Sequence, residues 1–63
     1  MFCKNLTKLR KERKLTQKEL ADKLKVSDKT VNHWEKNYSE PDIQSIMEIK
    51  KILDVTYDEL FEE

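Results

Sequence analysis

Not one of the 63 residues is glycine, and only one is proline. Tight hairpin turns draw on glycine for their positive-φ positions, so a sheet built from short strands is a poor fit to this chain. Charged residues make up 41%, which suits a compact helical unit with short connections. The fold class expected is all-α, in one domain over residues 1–63, because a chain of this length buries only about 60% of the surface its unfolded form exposes and has no material for a second core.

The apolar spacing sets out the helices. Phe2, Leu6, Leu9 and Arg10 fall on one face of a first helix from about Phe2 to Arg13, with Leu15 following into the core. Thr16 and Glu19 form a capping box, so a second helix starts at Gln17 and runs to about Leu24, burying Leu20, Ala21 and Leu24. Val26 plugs the joint that follows. Ser27 is the next N-cap, opening a third helix from Asp28 to about Lys36. Asp42 caps a fourth, Ile43 to about Leu53, and Thr56 with Glu59 repeats the capping box for a short fifth, Tyr57 to about Glu62.

The third helix stands apart from the others. Only Val31 and Trp34 are apolar on it, three apart on one face, while Asp28, Lys29, Thr30, Asn32, His33 and Lys36 supply donors and acceptors that a packing helix does not need. Charge is polarised along the chain in the same sense. Residues 1–36 carry eleven Lys/Arg against five Asp/Glu, net +6, and residues 37–63 carry two against eight, net −6. A zero total therefore conceals a basic end that suits a polyanion.

Other functions find little support. No apolar run approaches the roughly 20 residues of a membrane span, and the N-terminus MFCKNLTKLRK lacks the apolar stretch of a signal peptide, so a cytoplasmic protein is expected. Cys3 is alone, without an internal disulfide or CxxC partner, and is read as an inert thiol near a fraying terminus. One histidine, one cysteine and no HExxH or phosphate-cradling glycine loop leave nothing arranged as nucleophile and base. Neither catalysis nor a metal, cofactor or small-molecule substrate is expected.

A helix, a short turn and a second helix exposing polar side chains is the helix-turn-helix pattern. The string LTQKELADKL-VS-KTV--WE-----P, with VTYDEL further on, closely resembles the Cro/phage-repressor family, also called the XRE family, from about Leu6 to Leu60. The resemblance implies a compact five-helix, lambda-repressor-like domain. Its second and third helices form the helix-turn-helix, it binds double-stranded operator DNA as a dimer, and it comes from a bacterium or phage. It implies further that Gln17 stands near the phosphates, that residues 28, 29, 30, 32 and 33 face base edges and groove walls, and that the loop 37–42 follows the DNA backbone. Asn37, Tyr38 and Ser39 are thereby added to the DNA-binding set. Arg10 and Glu35 match a pair that forms a salt bridge in several members, and Glu35, directly after core Trp34, belongs at the rim of the core.

Departures from the family pattern carry their own expectations. Where members often have glycine at helix ends, this chain has Lys14, Lys25, Asn37 and Asp54. Asn and Asp visit the left-handed region at modest cost, whereas Lys there costs about 1 kcal/mol, so the joint KVSD is either strained or shaped differently. Tyr38-Ser39-Glu40 stands where relatives often have basic residues, which points to modest affinity and a shallow salt dependence. Lys50 replaces a small core residue and is expected to snorkel outward.

Each contact residue has two readings. Lys29 suits phosphate or guanine O6/N7, and Asn32 suits a bidentate contact with adenine, or else both solubilise a surface helix. His33 either donates to a purine N7 or phosphate, or does nothing. Asp28 either accepts from a cytosine amino group or only caps its helix, and Thr30 either touches DNA or packs. The apolar residues Ile49, Ile52, Val55, Tyr57, Leu60 and Phe61 exceed what a short helix pair buries. Val55, Tyr57 and Phe61 are the expected interface of a weak homodimer stabilised on DNA. The sequence-level reading is a transcriptional regulator, a repressor acting on a two-fold operator. The alternatives are an antitoxin-like or adaptor module that holds another protein, and an N-terminal domain of a longer repressor.

Overall fold

The computed structural model describes residues 1–62. Five helices, α1 (Phe2–Glu12), α2 (Gln17–Leu24), α3 (Asp28–Glu35), α4 (Ile43–Leu53) and α5 (Tyr57–Phe61), account for all the regular structure among them. α2 packs on α3 and α4, and α1 on α3 and α5.

The starts of four helices are fixed by side chains. Thr16 and Glu19 close a reciprocal capping box on α2, with Thr16 Oγ1 accepting from the Glu19 N–H at 3.0 Å and Glu19 Oε1 accepting from the Thr16 N–H at 2.8 Å. Thr56 and Glu59 do the same on α5. Ser27 caps α3 through the Thr30 N–H, and Asp42 caps α4 through the Ser45 N–H. Each satisfies N–H groups that a helix start leaves without partners.

The ends are unusual. Lys14, Lys25, Asn37 and Asp54 all have positive φ, between 55° and 61°, the four positions where the resemblance expected glycine. Lys25 and Asp54 close α2 and α4 in the left-handed region, and in the first case the Lys25 N–H bonds Asp22 O and the Val26 N–H bonds Ala21 O. The joint thus keeps a left-handed corner, with the Cβ strain that a lysine adds there.

α1 stops at Glu12, one residue short of the sequence expectation. The Arg13 side chain leaves the helix to cover the C-terminal carbonyls of α4, with Nε donating to Leu53 O at 2.8 Å and a terminal nitrogen to Asp54 O at 3.3 Å. From α1, Asn5 Nδ2 donates in the same way to the carbonyls of Leu60 and Glu62. The C-terminal ends of α4 and α5 are therefore both tied to α1.

The core joins Leu6, Leu9, Leu20, Ala21, Leu24, Val31, Trp34, Ile49, Leu53, Val55 and Leu60, with Phe2, Leu15, Val26, Ile46, Ile52 and Phe61 packed on its edge. Two expectations are corrected by it. Cys3 does not lie at a fraying end: it is buried on the inner face of α1, one turn before Leu6. Val55, expected at a dimer interface, is a core residue at 7% exposure. The left-handed corner at Asp54 and the bond from the Val55 N–H to Lys50 O turn it inward. Of the apolar surplus assigned to the C-terminal part, only Tyr57 is strongly exposed, at 54%. Phe61 is half-buried, stacked between Phe2 at 5.0 Å and Tyr57 at 4.4 Å. Lys50 is half-buried on α4.

Candidate nucleic-acid interface

At 100° per residue, Asp28, Lys29, Asn32 and His33 share one face of α3, and Val31 and Trp34 hold the opposite face in the core. Asp28 and Lys29 are exposed, while Asn32 and His33 are half-buried. Thr30 lies to the side, half-buried, with its hydroxyl 2.8 Å from that of Ser27. Its oxygen is engaged in the helix start rather than displayed.

Behind this face lies a continuous polar network that ties α3 to α1 and α2. Arg10, 7% exposed, grips Glu35 by two nitrogens, Nε to Oε2 at 2.6 Å and a terminal nitrogen to Oε1 at 3.1 Å. The other terminal nitrogen donates to Leu15 O at 2.7 Å. Gln17, half-buried at the first position of α2, donates from Nε2 to Glu35 Oε1 at 3.0 Å, and its Oε1 accepts from Asn32 Nδ2 at 3.2 Å. Among the described residues no buried side-chain nitrogen or oxygen lacks a partner.

Burial alone would push the Glu35 carboxyl up, but the hydrogen bonds from Arg10 and Gln17 and the guanidinium charge outweigh it and hold the group below its ordinary value of 4.5. It is an anion at neutral pH. The exposed capping carboxylates Glu19 and Asp42 are lowered as well, chiefly by the backbone N–H groups they accept from.

A second cluster closes the end of α3. The Tyr38 N–H donates to His33 O at 2.9 Å, the His33 and Tyr38 rings lie 5.6 Å apart, and Lys36 Nζ sits 5.9 Å from the centre of the Tyr38 ring. Tyr38 is 71% exposed, and Asn37, Ser39 and Glu40 beside it are exposed too.

The sequence-derived set thus divides. Lys29, Asp28, Asn32 and His33 are brought to one face, Lys36 and Tyr38 join them at its end, and Gln17 reaches it through Asn32. Thr30 stands apart, tied to Ser27. The bond between Gln17 and Asn32 was not anticipated, because two amides fifteen residues apart carry no sequence signal of pairing. The exposed apolar side chains Ile43, at 77%, and Met47, at 55%, one turn apart on α4, were also missed.

A helix with buried Val31 and Trp34, a polar outer face, and a capped two-helix corner before it are features that a known family shares. Its sequence profile, described as Helix-turn-helix, matches residues 6–60. The chain belongs to that family. The match covers the stretch over which the residues themselves resemble the Cro/phage-repressor group.

Three known proteins illustrate the likeness. YqaE of Bacillus subtilis, an uncharacterized HTH-type transcriptional regulator, is 43% identical over 60 residues, 95% of this chain and 52% of the relative. BcrR of Enterococcus faecalis, an HTH-type transcriptional activator, is 39% identical over 94% of this chain and 29% of its own length. A transcriptional regulator from Listeria innocua, known from a crystal structure, superposes with a TM-score of 0.87 at 30% identity, over 95% of this chain and 56% of that one. The chain spans about half the length of YqaE and of the Listeria protein, and less of BcrR.

Proposed function

We propose that this chain is a sequence-specific DNA-binding unit of a transcriptional regulator, which lays α3 in the major groove. The observation that carries the reading is the outer face of α3, where Lys29, Asn32 and His33 stand opposite buried Val31 and Trp34. Lysine suits guanine O6/N7 and phosphate, and asparagine suits adenine N6/N7. Gln17 at the start of α2, and Lys36, Asn37, Tyr38 and Ser39 after α3, are the groups that meet phosphates. Asp28 accepts from a cytosine amino group or serves only the start of α3. Family membership and the names of its relatives support the same reading.

The unit acts on a two-fold site as a weak dimer. The longest dimension of the described chain is 26 Å, short of the roughly 34 Å between successive major grooves on one side of the duplex, so reading two half-sites takes two copies. Ile43 and Met47 on α4 and Tyr57 on α5 are exposed apolar side chains available to join them. Bound at a promoter, such a unit represses by occupying it, although one relative, BcrR, is named an activator. As a bacterial or phage regulator it works in the cytoplasm.

The rival reading, a module that holds another protein, draws on the acidic C-terminal half and the acid-containing loop. Enrichment of bound sequences from a random duplex pool separates the two. A two-fold motif is the expected outcome, and no enrichment above competitor DNA would favour the protein-binding role.

A further inference from the structure

We infer that Gln17 is a specificity-positioning residue, which transmits the polarity of the Arg10–Glu35 pair to Asn32 and so fixes which way the Asn32 amide faces the DNA. The inference rests on α3 reading bases, and adds what determines one of those readings.

The argument follows from which groups can only donate and which can only accept. Arg10 is a pure donor and an ionised Glu35 a pure acceptor. Glu35 therefore admits only the Nε2 end of Gln17, and the 3.0 Å contact is of that kind. With Nε2 committed, Gln17 turns its Oε1 toward α3. That oxygen admits only the Nδ2 end of Asn32, as the 3.2 Å contact requires. An amide flip at either residue would set two acceptors or two donors against each other. The direction is anchored at its origin because Arg10 is held a third time by Leu15 O.

The consequence lies at the outer face. Asn32 Nδ2 carries two N–H groups. One goes to Gln17, which leaves one N–H and the free Oδ1 in a fixed order. That order matches an edge presenting an acceptor beside a donor, as adenine N7 and N6 do, and an untethered asparagine could turn over to meet the reverse order. Gln17 thus contributes to base choice without touching a base, in addition to any contact it makes with phosphate.

Substitution of Gln17 by Met keeps the length of the side chain and leaves the Arg10–Glu35 pair in place. Sequence selection with wild type and Gln17→Met should give the same motif at every position but one per half-site, where the preference for adenine falls about 2–10-fold, the equivalent of one hydrogen bond. A second measurement needs neither DNA nor a variant. In the free wild-type protein the side-chain amide protons of Asn32 should exchange with water more slowly than those of exposed Gln44. A uniform loss of affinity with an unchanged motif would overturn the inference and leave the DNA reading intact, as would Asn32 amide protons that exchange as fast as those of Gln44. No motif for the wild type, with the Asn32 protons protected, would overturn the DNA reading and the base-choice role that rests on it, while leaving the tether itself in place.

Discussion

Lys25 closes α2 at φ 61° and ψ 39°, a conformation in which its Cβ crowds the backbone and glycine would not. Lys25→Gly should therefore stabilise the fold by up to about 1 kcal/mol, read as a higher midpoint in urea unfolding. A loss of stability would mean that the corner gains more from the side chain than the backbone loses. The four helix ends were legible because the motif aligned each with a position where relatives often have glycine, whereas the left-handed turn at Lys25 was one of two shapes left open. The orientation of Asn32 was not legible. Amide pairing depends on how α2 and α3 cross, which periodicity does not encode.

Between elements, the Arg10–Glu35 pair is the main polar tie of α3 to α1, with side chains only 9% and 6% exposed. Arg10→Met should cost about 3–5 kcal/mol, because it strands a buried carboxylate. The double replacement Arg10→Met with Glu35→Leu should recover most of that, since a buried pair exchanged for apolar groups is often neutral. Unfolding of both variants beside the wild type checks this, and a double variant no better than the single one would contradict it. The pair also sets a pH dependence. Glu35 titrates lower in the folded chain than its ordinary value of 4.5, so its stabilisation is complete above that value and is lost as pH falls through the lower folded one. Melting temperatures taken from neutral pH downward should drop less for the double variant than for wild type. A smaller acid slope from the lowered caps Glu19 and Asp42 remains in both. Every helix start and the salt bridge were legible in the sequence, since caps are local and the pair matched a family position. The ends of α1, α3 and α5 each came one residue earlier than expected, because side-chain periodicity carries past the point where the backbone leaves the helix, as it does ahead of the left-handed Lys14 and Asn37.

For the whole molecule, the dimer we propose is expected to be weak and completed by DNA, because little apolar surface is exposed. The proposed interface side chains Ile43, Met47 and Tyr57 fall well short of a stable interface of about 1,200 Å², so the free chain should sediment as a monomer at micromolar concentration. Ile43→Glu, on a residue 77% exposed, should lower affinity for a full two-fold site while leaving half-site binding and melting temperature nearly unchanged. Equal losses on both sites would remove α4 from the interface. What misled the sequence-level choice of interface was burial. Val55 is as apolar as Ile43, but the corner at Asp54 turns it into the core. The central claim is that the outer face of α3 reads base pairs, and binding free energies of wild type, Lys29→Ala and Asn32→Ala on the enriched duplex and its single-base-pair variants test it most directly. Each substitution should cost about 1–3 kcal/mol and flatten discrimination at one base pair of each half-site, whereas wild-type affinity and an unaltered preference in both variants would contradict it.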